Sequence, residues 1–390
     1  MMDRVNGARW VSWKRALALF LALRLFLTLW GGVVTTLVPL PATPDEELRP
    51  YLGAEILREG AAGLLLGPWQ RFDTNRYVRI ARQGYAAVED SVFPPLYPLL
   101  IRAGAWLIPA APTTAAMLAA VGVSNLACLG AFYLFHRQAT RKIGESGANR
   151  ALVYLGLFPT GFFLFAGYTE PLFLLLALAS LVAAERGEGV NAGIFALLAT
   201  VTRTTGVLLI LPLAYAAWTA RPRRWSSLLS ATLPAWGFLG FLLYRHGVGL
   251  PPIGQVYARF WHQTTSLPGA DLITAARILL TGRGVRAGEF TLLLDFGVVF
   301  LLLATIGVTF RRFGPLYGLY AAAMLLFMLL PRSDLKPLYS FMRYALAFFP
   351  LFWWWGVAGQ NPWRHRLILY LSLLLWFYFS GQFFIWGWVA

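Results

Sequence analysis

Leu172-Phe173-Leu174-Leu175-Leu176-Ala177-Leu178-Ala179-Ser180-Leu181-Val182-Ala183-Ala184 decides the fold class of this chain. It is apolar on nearly every face, as is Leu367 to Phe379, and neither alternates in the way that a barrel strand with a polar lumen requires. Runs of this kind recur along all 390 residues, of which 58% are hydrophobic and 13% charged, with a mean hydropathy of +0.61. The expected fold is therefore an all-α polytopic membrane protein, a single transmembrane domain over 1–390.

The charge pattern orients it. A net charge of +16 suggests nucleic acid in a soluble protein, but here the arginines fill short gaps between apolar runs, and no nucleic-acid partner is expected. Placing the N-terminus in the cytoplasm puts Arg137 to Arg150, Arg186, Arg221 to Arg224, Arg311 to Arg312 and Arg364 to Arg366 on one side. The opening run from Ala16 to Leu40, whose only charge is Arg24, reads as a retained first span rather than a cleaved signal. About eleven spans follow: 16–38, 113–135, 151–167, 171–185, 192–204, 206–219, 227–244, 291–310, 315–330, 345–359 and 367–388. A single long helix over 192–219 would reverse everything after it and move Arg221 to Arg224 outside. Residues 95–110 contain Pro95, Pro98, Pro109 and Arg102, and read as a helix lying in the interface rather than crossing.

Two large extracytoplasmic segments result, 39–112 and 245–290. A smaller outer loop holds Arg332, Asp334, Lys336 and Arg343, and the basic turn Gly282 to Arg286 lies in the second large segment. The first segment carries the polar island Phe72-Asp73-Thr74-Asn75-Arg76-Tyr77-Val78-Arg79-Ile80-Ala81-Arg82-Gln83-Gly84-Tyr85, followed by Glu89 and Phe93-Pro94-Pro95-Leu96-Tyr97-Pro98. Polar clusters in a lipid-soluble chain mark chemistry at the membrane surface.

An outer-face active site has no ATP, so its natural activated substrate arrives through the lipid as a polyprenyl phosphate sugar. Transfer from it needs a carboxylate to take the acceptor's proton and cations to hold the leaving phosphate. Asp73 suits the first role, or caps a helix starting near Thr74. Asp45, in Asp45-Glu46-Glu47 after Pro44, caps another helix or supplies a second acid, and Glu89 serves a solvated loop or the site. Glu170, beside Tyr168, either caps its turn or binds substrate. Arg203 lies deep in apolar sequence and needs a phosphate or a paired acid such as Glu170. Arg343 either snorkels or binds donor phosphate, and Arg76 is a third candidate cation. Trp261 in the second large loop could stack on a sugar, and His262 adjoins it. His136, His246, His262 and His365 show no ligand spacing, and the lone Cys128 allows no intrachain disulfide, so no metal and no cofactor are expected.

The order Phe-Asp-x3-Tyr-x2-Ile-Ala-x2-Gly-Tyr, an acid and then Phe-Pro-Pro-Leu-Tyr-Pro resembles the PIG-V family of GPI mannosyltransferases. The likeness continues through Phe158 to Phe163, Tyr168 to Phe173, Arg203 to Gly206, Gln255 to Pro268 and Arg343-Tyr344. The resemblance implies the GT-C glycosyltransferase fold, with interfacial helices and the catalytic acid in the first outer loop. It implies an inverting transfer of a hexose, mannose being expected, from a polyprenyl phosphate. By position it gives Asp73 the place of the acid in the family's Trp-Asp pair, with Phe72 where tryptophan is usual, and gives Glu89, Glu170 and Arg343 the places in their own motifs. The compact, alanine- and arginine-rich chain reads as prokaryotic, which leaves the acceptor open among lipid, glycan and protein. The rival reading is a transporter or flippase of lipid-linked sugars, although most acids lie in outer loops and no repeated halves are seen. A noncatalytic subunit of the same fold is the third.

Overall fold

A bilayer offers no partner for a bare peptide group, so apolar runs of this length must fold as helices. The computed structural model describes residues 2–39, 45, 48–281, 289–333 and 336–389. In chain order its helices are α1 (Met2–Leu37), α2 (Gly60–Leu66), α3 (Asp73–Gln83), α4 (Leu96–Trp106), α5 (Pro112–Gly156), α6 (Glu170–Glu185), α7 (Gly189–Thr200) and α8 (Ile210–Thr219). There follow α9 (Trp225–Ser230), α10 (Leu233–Gly247), α11 (Ile253–Phe260), α12 (Ala270–Thr281), α13 (Glu289–Arg312), α14 (Pro315–Met328), α15 (Phe341–Tyr344), α16 (Pro350–Ala358) and α17 (Pro362–Phe384). A two-residue antiparallel pair, β1 (Thr264–Thr265) with β2 (Pro331–Arg332), sets Thr264 opposite Arg332. The basic turn 282–286, Pro44, Glu46, Glu47 and Asp334 lie outside the described residues.

The protein is a multi-pass membrane protein. Among the described residues five helices are long and apolar enough to cross a bilayer: Arg9–Leu37, Pro112–Gly156, Trp225–Gly247, Phe290–Arg312 and Pro362–Phe384. Shorter apolar helices occupy the expected spans 192–204, 206–219 and 315–330. The expected span 345–359 is α-helical only as α16, from Pro350, after a 3-10 turn at Ala345–Ala347. At about 16 Å, the eleven residues of α4 are too short to cross.

The chain forms two compact units. The first comprises 1–86, 95–175 and 355–389. In it α5 packs along α1 and α4, and α3 packs on α4 and α5. The sequence places a gap at 137–150, and the structure bridges it with helix broken at one point, Gly144, whose φ of 76° and ψ of 165° no helical residue adopts. The expected span 151–167 does not form as drawn. Its helix stops at Gly156, and the chain runs on without α-helix to Thr169 through residues that are buried at every position from Phe158. Such backbone survives within a membrane protein only where protein groups complete its hydrogen bonds. Three polar side chains on the spans do so: Arg24 Nη1 (3.3 Å) and Asn125 Nδ2 (3.0 Å) donate to the Phe165 carbonyl, and Ser124 Oγ (2.8 Å) to that of Tyr168.

The second unit comprises 87–94 and 176–354. Here residues 189–219 fold as α7 and α8 rather than as one helix, separated by Val201–Arg203 and a 3-10 stretch, Thr204–Leu209. The hairpin returns the chain on itself, because Gly187 just before α7, Gly189 at its start, and Ala217, Ala220 and Arg221 at and just after the end of α8 line one cavity. Arg186 and Arg221 thus share one end of the hairpin, as the charge pattern requires. α10 packs on α7, α14 on α8 and α13, and α12 on α13.

Candidate functional site

Asp73 is the first residue of α3, one position inside the helix rather than at the N-cap that the sequence suggests, which falls on Phe72. Phe72 carries φ 43° and ψ −120°, unusual for a residue with a Cβ, and its ring is held by Phe383, Trp386 and Trp388 at centroid distances of 5.9, 5.1 and 5.7 Å. Surrounding contacts of this number are what maintain a costly backbone conformation. Beside it, buried Arg71 donates through Nε and Nη2 to the Phe384 carbonyl at 2.9 and 2.7 Å. Its Nη1 donates to the carbonyls of Gly67 and Gln70 at 2.8 and 3.0 Å. Burial lowers its pKa to about 10, so it stays charged at neutral pH and ties the end of α17 to the turn before Asp73.

The start of α3 meets the turn that opens α6. The Asp73 backbone N–H donates to the Tyr168 hydroxyl at 3.3 Å, and the hydroxyls of Tyr77 and Thr169 lie 3.2 Å apart. Gly167 faces Thr74 so closely that an added Cβ would stand 2.8 Å from Thr74 Cγ2. Tyr168 is fixed from behind by Ser124, whose hydroxyl is 2.6 Å from that of Tyr97. Half-buried Asp73, buried Tyr168 and buried Glu170 are thereby assembled in the first unit, the two acids each opening a helix. Arg76 is three residues on from Asp73 and shares its side of α3. Asp45 does something local: it pairs in an isolated bridge with Arg49, and its Oδ1 accepts from Leu48 N–H at 3.0 Å.

The second unit holds two of the three candidate cations. Arg203 and Arg343 approach the ring of Tyr344, their guanidinium carbons 5.3 and 5.5 Å from its centroid, so one aromatic ring brings the two together. Arg343 is buried and sits in α15, just after Ser340, which adopts a left-handed conformation at φ 61°. Two acids that sequence reasoning missed pin this loop. Asp271 accepts from the Ser333 and Leu338 N–H groups at 2.9 and 3.0 Å, and Asp295 from that of Met342 at 2.7 Å. An acid inside the apolar run 291–310 is itself a signal, since ionisable residues in spans are rare without a role. Lys336, exposed in the same loop, has its pKa lowered by partial desolvation.

Glu89 lies in the short helical turn 88–92, also part of the second unit. Phe93 meets Trp261 edge to face at 5.9 Å, and buried Arg245, missed in the sequence, donates to the carbonyls of Ser91 and Pro251. Trp261 is therefore tied to the proline segment, while His262 is exposed at φ 50°. Among the described residues no group of three or more His, Cys, Asp and Glu has a metal-holding arrangement.

A family model described as mannosyltransferase (PIG-V) matches residues 23–232. The GPI alpha-1,6-mannosyltransferase 2 of Mus musculus is 30% identical over 174 residues, covering 41% of this chain and 33% of that protein. The chain thus spans about a third of that relative's length. Among solved structures, the chain is similar to ArnT from Cupriavidus metallidurans bound to undecaprenyl phosphate, at 15% identity and a TM-score of 0.49, over 95% of this chain and 76% of that one. The Archaeoglobus fulgidus oligosaccharyltransferase tethered with an acceptor peptide gives 13% identity and a TM-score of 0.43, over 94% of this chain and 55% of that one.

Proposed function

The chain belongs to the mannosyltransferase (PIG-V) family, and from that premise we propose that it is an inverting GT-C glycosyltransferase that moves a hexose, mannose, from a polyprenyl phosphate to an acceptor on the extracytoplasmic face. The observation that carries this reading is the docking of the α3 start on the Tyr168 to Glu170 turn, which holds Asp73 half-buried at the head of a helix.

In the proposed reaction an acceptor hydroxyl attacks the anomeric carbon from the side opposite the phosphate. The new C–O bond forms as the bond to the phosphate oxygen breaks, and the bonding pair leaves as polyprenyl phosphate. The Asp73 carboxylate takes the hydroxyl proton. Each guanidinium binds phosphate oxygens in pairs, and Arg203 and Arg343 are assigned to the leaving phosphate, with Arg76 as a further donor. Glu170, Tyr168, Glu89 and Asp45 are assigned to the sugar and acceptor hydroxyls, and Trp261 with His262 to the sugar ring. The acceptor class, lipid, glycan or protein, is what the assay must identify. The N-terminus is placed in the cytoplasm of a cell-membrane protein, supported by the arginine-bearing gaps. No metal or cofactor takes part, so the rate should persist in excess chelator.

The test is transfer of radiolabelled mannose from polyprenyl phosphate mannose by the purified protein, with membrane extract as acceptor. Asp73→Asn should lower the rate by roughly 10²–10⁴-fold. A full rate in that variant removes Asp73 from the role of base. Absence of transfer, with mannolipid crossing reconstituted vesicles, would favour the transporter reading.

A further inference from the structure

The hairpin of α7 and α8 has Arg203 at its tip. At its other end, about 18 Å away along α7, the second unit encloses a cavity of about 210 Å³. Small and apolar residues, among them Ala192 and Leu213, make up most of its wall, and Arg186, Arg221, Arg224 and Ser227 also line it. Among the described residues no carboxylate lines it. The neighbouring acids are engaged elsewhere: Glu185 accepts from the Tyr317 hydroxyl at 2.9 Å and Glu188 from Asn191 Nδ2 at 3.2 Å.

One of the lining cations, Arg221, is set in place by neutral groups. Arg221 Nη1 donates to the Trp218 and Ala220 carbonyls at 3.3 and 3.1 Å, and the adjacent Arg223 stacks on Trp218 at 4.0 Å. Like charges converging on one concavity raise its potential, and an anion there relieves the repulsion. The surroundings say where that anion comes from. Trp218, Trp225 and Leu229 are 59%, 80% and 69% exposed, and exposed indoles beside an apolar helix belong at the headgroup level of a bilayer.

We infer that this cavity binds the phosphate headgroup of an anionic phospholipid. The guanidinium groups take the phosphate oxygens and the apolar wall faces the glycerol. The volume is below the roughly 300 Å³ at which pockets for drug-sized ligands begin, so it holds a headgroup and leaves the acyl chains in the bilayer. The site is independent of the transferase chemistry and is scored by binding alone.

Native mass spectrometry of the full-length protein, released from micelles doped with phosphatidylglycerol or phosphatidylcholine, reads it directly. The first phosphatidylglycerol should bind at least tenfold more tightly than phosphatidylcholine. Arg186→Gln with Arg224→Gln should weaken it roughly thirtyfold, about fivefold per surface arginine, and leave phosphatidylcholine binding unchanged. Arg311→Gln with Arg312→Gln, the same loss of charge at the end of α13, should leave it intact. Arg224→Lys keeps the charge but not the planar fork, and should weaken binding severalfold without threatening the fold. Equal binding of the two lipids, or equal loss in both double variants, would overturn the site. Displacement of the lipid by millimolar inorganic phosphate would overturn its assignment to a lipid headgroup.

Discussion

Asp271 offers the sharpest test of how the cationic loop is held. It is buried at the start of α12, and its two oxygens accept from the Ser333 and Leu338 N–H groups at 2.9 and 3.0 Å. Hydrogen bonds to a charged acceptor contribute about 1.5–3 kcal/mol each. Asp271→Asn keeps the shape and one carbonyl oxygen, but turns an amide N–H₂ toward one of the two donors, leaving it buried and unsatisfied. The remaining bond loses its charge. Together these changes cost about 3 kcal/mol, more than a hundredfold in a local opening equilibrium. Hydrogen–deuterium exchange of the purified protein in detergent reads that opening at the two amides. Both should exchange at least a hundredfold faster, while amides of α5 keep their rates. Because Arg343 follows Leu338 by five residues, KM for the lipid donor should rise with little change in kcat. Unchanged exchange at Ser333 and Leu338 would refute the assignment of Asp271 as the anchor of this loop.

Gly167→Ala should destabilise the protein by about 1–3 kcal/mol through overpacking, and Thr74→Ser, which deletes the Cγ2 that the new methyl meets at 2.8 Å, should restore most of the lost melting temperature in the double variant. Simple additivity of the two changes would show that they do not touch. Arg71→Lys trades a planar fork, bonded to the carbonyls of Phe384, Gly67 and Gln70, for a point charge, and should lower thermal stability by about 2–4 kcal/mol; an unaltered melt would mean that these bonds contribute nothing net. Ser340→Gly relieves a left-handed residue at φ 61° and removes a buried hydroxyl that has no hydrogen-bond partner among the described residues. It should therefore raise stability by about 1 kcal/mol, after the extra entropy of glycine in the unfolded chain, and a melting temperature lowered by several degrees would contradict it.

Helix positions were legible in the sequence wherever an apolar run was long and ended by charge or proline, as in α13 and α17. The hairpin at 189–219 was legible for a different reason, the requirement that Arg186 and Arg221 share a side. The end of helix at Gly156 was not, because Leu157 to Thr169 is as apolar as a span and its irregular backbone is stabilised by residues far away in sequence. Arg24, Ser124 and Asn125 could have signalled it, since a polar group inside a span needs a partner and a buried carbonyl outside a helix supplies one. Asp73 and Glu170 stood out in the sequence by residue type and position, Arg203 by its isolation in apolar sequence, and Arg343 by its place at the outer start of a span. Asp271, Asp295 and Arg245 were overlooked because each serves the backbone of a distant loop, a relation that local pattern does not carry.

Irregular backbone is the expensive component of a membrane protein, since every peptide group taken out of a helix must be given a partner by something else. This chain leaves its α-helices at 157–169, at 201–209 and, among the described residues, at 329–333 and 336–340, and meets part of that requirement with side chains or with turns of its own. The first break delivers Tyr168 and Glu170, the second contains Arg203, and the third leads into Arg343. The fourth candidate, Asp73, follows the strained Phe72, which is held by three aromatic rings. Packing alone does not require this, because uninterrupted spans would bury the same apolar surface at lower cost. A helix also spaces side chains at fixed angles along one axis, whereas a break lets a residue approach at the depth and direction that a phosphate or a sugar hydroxyl demands. The breaks coincide with the candidate residues, and on the proposed function the supporting residues Ser124, Asp271 and Asp295 are the places where substitution should alter KM before it alters the fold.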